Sequence, residues 1–135
     1  MKKIFQQGGI ASILSACAGL IYFKIYQTSL DTHFDKILNR GSIIGASIFG
    51  CMLIATGYAL LLRFKKQNWA GGLNLLIAIL SFASVVSPIS MKLPLDIASP
   101  ELFPGLAVPM HFFPAVAFFC LSPFFDTGSV PSDVK

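Results

Sequence analysis

WAGGLNLLIAILSFASVVSPI, running from Trp69 to Ile89, contains no Asp, Glu, Lys or Arg, and a helix needs roughly 20 predominantly apolar residues to cross the hydrocarbon of a bilayer. A helix apolar on every face is buried or spans a membrane, and a chain this short has no core large enough to enclose one. Working outward, three more segments share its character: Ser42 to Arg63 before it, Gly8 to Tyr26 near the N-terminus, and Gly105 to Phe125 after it. The expected fold is an all-α integral membrane protein, a four-transmembrane-helix bundle forming a single domain over residues 1–135. With 12% charged residues and a mean hydropathy of +0.74, the chain leaves no material for a separate soluble catalytic or receptor domain.

The net charge of +4 would suit nucleic acid if the bases lined one soluble face. They sit instead at span ends, so no nucleic-acid partner is expected and membrane topology explains them. Lys2, Lys3, Arg63, Lys65, Lys66 and Lys135 fall on one side of the alternating spans, and Lys24, Lys36, Arg40 and Lys92 on the other. That excess, concentrated in the short second connection, places both termini in the cytoplasm. The expected setting is multi-pass in a prokaryotic cytoplasmic membrane, with the lipid bilayer as first partner. Trp69, Tyr22 and Tyr26 are placed as interfacial anchors.

Small residues recur at helical spacing. Gly8, Ser12 and Ala16 form one ridge of span one, and Ala11, Ser15 and Gly19 the next; span two repeats the device with Gly41 and Gly45, then Ser42, Ala46 and Gly50. Lipid is as apolar as leucine, so close backbone approach, not hydrophobic drive, is what holds such helices together. The two spans are expected to pack along these faces, which would also serve a homo-oligomer or a membrane-protein partner.

The connections differ. Leu30, Phe34, Ile37 and Leu38 follow the i, i+4, i+7, i+8 pattern, so residues 29–40 read as an amphipathic helical segment on the outer interface, with Thr28 or Ser29 as cap and its apolar face toward lipid or the bundle. Residues 90–104, with Pro94, Pro100 and Pro104, read as an ordered, extended outer loop. Span four places Pro104, Pro109 and Pro114 at five-residue intervals. Proline frees the carbonyl four residues before it, so Gly105 and Met110 would lose their helical donors and the fourth helix is expected to kink.

Candidate chemistry collects on the outer side. Asp96, Glu101 and His111 form a tentative ligand-binding set, and Asp31, His33 and Asp35 a tentative metal set of oxygen and imidazole donors. The metal set has a geometric difficulty: on a helix Asp31 and Asp35 share a face while His33 points about 200° away. His111 carries more weight, because a polar group at membrane depth is costly and has a partner or a function. No cofactor is expected, since haem in a bundle takes two buried ligands and only one histidine lies in a span. Cys17, Cys51 and Cys120 lie inside spans without a C-x-x-C pair and read as small apolar residues. Leu14-Ser-Ala-Cys17 has the outline of a lipobox, but the sequence after it stays apolar, so span one reads as a retained helix. No nucleophile elbow or phosphate-cradling glycine loop occurs, and the balance is against an enzyme.

The leading expectation is a small membrane protein of structural or accessory type acting through helix contacts. The alternative is a binding or transport protein for a cation or small lipid-like ligand around Asp96, Glu101 and His111. The topology predicts that a single cysteine introduced into the 90–104 loop of a cysteine-free variant reacts with a membrane-impermeant maleimide on intact cells; reaction confined to lysed cells would reverse the orientation.

Overall fold

The computed structural model describes residues 1–93 and 99–125. Among these the fold is all-helical, and four helices are long and apolar enough to cross a membrane: Lys2–Leu30, Arg40–Arg63, Gln67–Ser90 and Pro100–Phe125. The first two are continuous and are named α1 and α2. The third opens with a 3-10 turn at Gln67–Trp69 and divides into α3, Ala70–Ser84, and α4, Val86–Ser90. The fourth opens with a 3-10 turn at Pro100–Leu102 and divides into α5, Phe103–Met110, and α6, Phe113–Phe125.

Local chemistry sets these boundaries. α1 begins earlier than its apolar run, since lysine and glutamine are good helix formers and no proline interrupts them. It stops at Asp31, which turns left-handed at φ 49°, and the N–H groups of Asp31 and Thr32 both donate to the carbonyl of Gln27; aspartate tolerates this conformation better than most residues. Asn39 caps α2, its Oδ1 accepting from the Ser42 N–H at 2.8 Å and the Ser42 hydroxyl at 3.1 Å. Lys65, at φ 53°, turns the chain out of α2 while the Lys66 N–H returns to the Leu61 carbonyl at 2.9 Å.

Residues 31–39 form turns and not the expected amphipathic helix. The apolar pattern is nevertheless used: the Ile37 and Leu38 N–H groups both bond the Phe34 carbonyl, and Phe34 is wholly buried among Phe23, Ile43, Phe103, Leu106 and Ala107. Burying that ring between three helices requires the segment to fold inward, and the left-handed Asp31 releases the chain to do so.

α1 runs antiparallel to α2 and makes the most extensive helix pair, with α6 packed across both. The register is fixed by small residues. A Cβ on Gly8 would stand 2.9 Å from the Ala55 Cβ, and one on Gly19 would stand 2.8 Å from Ile43 Cγ2; midway between, the Ser15 hydroxyl donates to Ser47 Oγ at 3.2 Å. Ala11, Ser12, Ser15, Ala16 and Gly19 are all buried in this face. The buried residues of α2 are Ile43, Ser47, Cys51, Ile54, Ala55, Tyr58 and Ala59, and Ile43, Ser47 and Ala55 are among those that meet this face. The expected ridge of Ser42 and Ala46 is exposed, and Gly45 has open space around it. The row of α2 turned to α1 is the neighbouring one, with Ile43 over Gly19 and Ala55 over Gly8.

Two polar pins complete the bundle. Fully buried Gln7 donates through Nε2 to the Phe118 carbonyl at 2.9 Å and to Ser122 Oγ at 3.0 Å, tying α1 to α6. The Tyr58 hydroxyl donates to Asn74 Oδ1, tying α2 to α3, while its ring stacks on Phe118 at 5.5 Å. α3 is otherwise peripheral, with Ile77 its only buried residue. The close approach predicts that Gly8→Leu lowers stability in detergent by about 1–3 kcal/mol, whereas Gly9→Leu, with nothing within 4 Å of the added carbon, leaves the thermal midpoint close to wild type.

Candidate functional site

Both divided helices break for the same reason. Pro88 lacks the N–H that would bond the Ser84 carbonyl, so the turn tightens at Val85, whose N–H reaches back to Phe82 at 3.2 Å. Pro114 likewise lacks the N–H that would bond the Met110 carbonyl, and the chain tightens at His111, three residues before it. Pro109, inside α5, leaves the Gly105 carbonyl without its helical donor, and the Tyr22 hydroxyl takes that role at 2.8 Å. One turn earlier the Tyr26 hydroxyl donates to the Leu102 carbonyl at 2.7 Å. The two tyrosines expected to anchor span one at an interface are thus ties to the proline-rich helix.

Between α5 and α6 the chain tightens again. The His111 N–H bonds Val108 at 3.2 Å and the Phe112 N–H bonds Pro109 at 3.1 Å, both three residues back. That shift deprives the Ala107 carbonyl of its usual donor, and the His111 ring supplies one: Nδ1 lies 2.7 Å from the Ala107 oxygen. A carbonyl only accepts, so Nδ1 carries the hydrogen and, in the neutral ring, Nε2 is left as an acceptor. The two breaks lie in one layer of the bundle, where Phe82 and Phe112 meet edge to face at 5.0 Å.

Beside this layer lies a groove of about 770 Å³ between α2, α3 and the α5–α6 segment, within the size range of small-molecule sites, roughly 300–1,000 Å³. Ser42, Ala46, Gly50 and Gly57 form its floor along α2, and Leu73, Leu76, Ile77 and Leu80 its wall along α3. The small α2 ridge that does not meet α1 is what leaves this space open. Pro114 closes on Gly50, where a Cβ would stand 2.9 Å from the proline ring, and His111 sits at the same level. The lining is almost wholly apolar, and several of its few hydroxyls are internally committed: Ser47 is bonded by Ser15, Thr56 donates to Met52, Ser84 to Ser81, and Ser42 to Asn39.

The other expected site residues are dispersed. Asp96 lies outside the described residues. Glu101 is exposed in the 3-10 turn before α5, ten residues from His111 and about 15 Å along the axis at the helical rise. Asp31, His33 and Asp35 are exposed; the Asp35 carboxylate accepts from Gln27 Nε2 at 3.1 Å. Among the described residues no three His, Cys, Asp or Glu side chains converge as a metal site would require. Sequence reasoning missed Gln7 and Tyr58. For Gln7 the signal was present, since it precedes Ala11 and Ser15 by four and eight residues and so continues a buried ridge. The groove itself had no local signal, because it depends on which face of α2 the first helix takes.

No protein-family model matches the chain, and neither the curated proteins nor the solved structures compared with it include a match.

The cysteines offer a direct check of facing. Cys17 and Cys120 are exposed and Cys51 is buried, so an apolar maleimide should modify two thiols per folded chain in detergent and the third only after denaturation, as counted by intact mass.

Proposed function

We propose that this chain is a multi-pass membrane protein, with both termini on the cytoplasmic face, that holds one lipid-like molecule in the groove between α2, α3 and the α5–α6 break. The groove carries this reading: it lies along apolar helices, has the volume of a ligand site, and is lined by residues that would welcome a hydrocarbon chain.

Membrane insertion is supported by what the helices expose. Ile13, Phe49, Leu53, Leu75, Phe82 and Val116 are each more than half exposed and are spread over all four membrane-length helices, a surface that is costly in water and ordinary in lipid. Orientation is supported by charge. Lys2, Lys3, Arg63, Lys65 and Lys66 gather at one end, with no acidic side chain there among the described residues, whereas Asp31, Asp35 and Glu101 lie at the other beside Lys36, Arg40 and Lys92. We propose a prokaryotic cytoplasmic membrane as the setting.

The structural or accessory reading has less support, because the α1 face that would serve a partner is engaged within the chain by α2 and α6. A cation ligand has less support still: among the described residues the groove brings no carboxylate beside His111.

The test is native mass spectrometry of the chain extracted in gentle detergent. A bound lipid is expected on the wild type and should be largely lost from Ala46→Trp, which fills the groove from an exposed position without touching the α1–α2 contact. Equal occupancy of both proteins, or none on either, would sink the reading.

A further inference from the structure

The groove presents one polar group whose hydrogen-bonding direction is fixed by the fold. His111 Nδ1 is committed as a donor to Ala107, because the tightened turn at 108–112 removes that carbonyl's backbone donor. Nε2 has no partner among the described residues. In the neutral ring this nitrogen only accepts. Of the five hydroxyls in the lining, those of Ser42, Thr56 and Ser84 donate to acceptors of their own chain, Ser47 is bonded by Ser15, and neither Ser47 nor Ser81 makes a hydrogen bond to the ring among the described residues. An apolar cavity with one unmatched acceptor favours a ligand that brings the complementary donor, since leaving such a nitrogen desolvated and unpaired against a hydrocarbon costs free energy.

We propose that the ligand of this groove is a long-chain alcohol: a lipid-like molecule with a free hydroxyl whose O–H donates to His111 Nε2 while its hydrocarbon chain extends along α2 and α3 toward Leu60 and Leu73. The inference rests on the groove reading and adds the ligand's class to it. The geometry favours this direction for the chain. From Gly50, level with the helix break, to Leu60 the groove follows α2 for about 15 Å at the helical rise, and that length is walled by Leu53, Leu60, Leu73 and Leu76. Among the described residues the lining includes no Lys or Arg, so none of them offers a counter-charge for a phosphate or carboxylate head group. A hydroxyl needs none. The match also depends on backbone geometry: a regular helix through residue 111 would give Ala107 its ordinary N–H donor and release Nδ1, and the ring would then be free to offer either nitrogen.

The full chain in detergent, offered hexadecanol and its methyl ether in equal amounts, tests this in one sample, because the two adducts differ by a methylene in mass. The wild type should carry the alcohol about tenfold over the ether, the value of one hydrogen bond in an apolar site. His111→Phe should bring the ratio close to one while total occupancy persists, and His111→Gln, which keeps an acceptor and guards against a misfolded Phe variant, should retain most of the preference. Ala46→Trp should lose both adducts. A wild-type ratio near one would overturn the hydroxyl assignment and leave the groove reading standing. Binding of neither probe to the wild type would overturn both, and a preference that survives in a folded His111→Phe protein would overturn the role of His111.

Discussion

The close approach of α1 and α2 is the constraint from which the remaining geometry follows. Gly8 against Ala55, Ser15 against Ser47 and Gly19 against Ile43 set a register from Gly8 to Gly19 on α1 and from Ile43 to Ala55 on α2, whereas α3 meets α2 chiefly through Leu73 at Gly57 and Asn74 at Tyr58 and buries only Ile77. Because α2 turns Ile43, Ser47, Cys51 and Ala55 toward α1, its other small ridge, Ser42-Ala46-Gly50, must face away. α6 fits across the pair where Gln7 and Cys51 reach it, the latter with its thiol 3.6 Å from the Pro114 carbonyl. What remains between the exposed ridge and the loosely held α3 is the groove.

Prolines in this chain work less by bending helices than by reassigning carbonyls. An acceptor left without its donor is costly in an apolar environment, and at two carbonyls a side chain supplies one: Tyr22 for Gly105, freed by Pro109, and the His111 ring for Ala107, displaced by the adjoining tight turn. The same requirement explains why a histidine sits at a helix break. A phenylalanine there would leave Ala107 without a donor, and a lysine would bring a charge into an apolar layer.

Much of the fold was legible because apolar run length is a local property. The helices at Lys2–Leu30, Arg40–Arg63, Gln67–Ser90 and Pro100–Phe125 bracket the four runs, and their ends move by a few residues wherever a cap such as Asn39 or a left-handed residue such as Asp31 decides them. The break in the fourth helix followed from its prolines; the break at Val85 needed the same argument applied to Pro88. The 29–40 segment shows the limit. Its periodicity correctly marked Phe34, Ile37 and Leu38 as one apolar set, but periodicity does not say whether such a set lies on a surface or is drawn inside, and Phe103 and Phe23 drew it inside. The candidate site was legible only at His111, whose cost at that depth is intrinsic. Its neighbours come from α2 and α3, chosen by a register that no single helix contains.

Gln7 gives the assembly a temporal order. Its bonds to Phe118 and Ser122 join α1 to α6 across 111 and 115 residues, so they form only once the chain through residue 122 has been synthesised. The contacts between α1 and α2, by contrast, all lie within residues 2–63. Early pairing through small residues and late locking through an amide make the N-terminal half a template on which the C-terminal helices are received, and a chain truncated before α6 would keep its hairpin while lacking the bond that closes it.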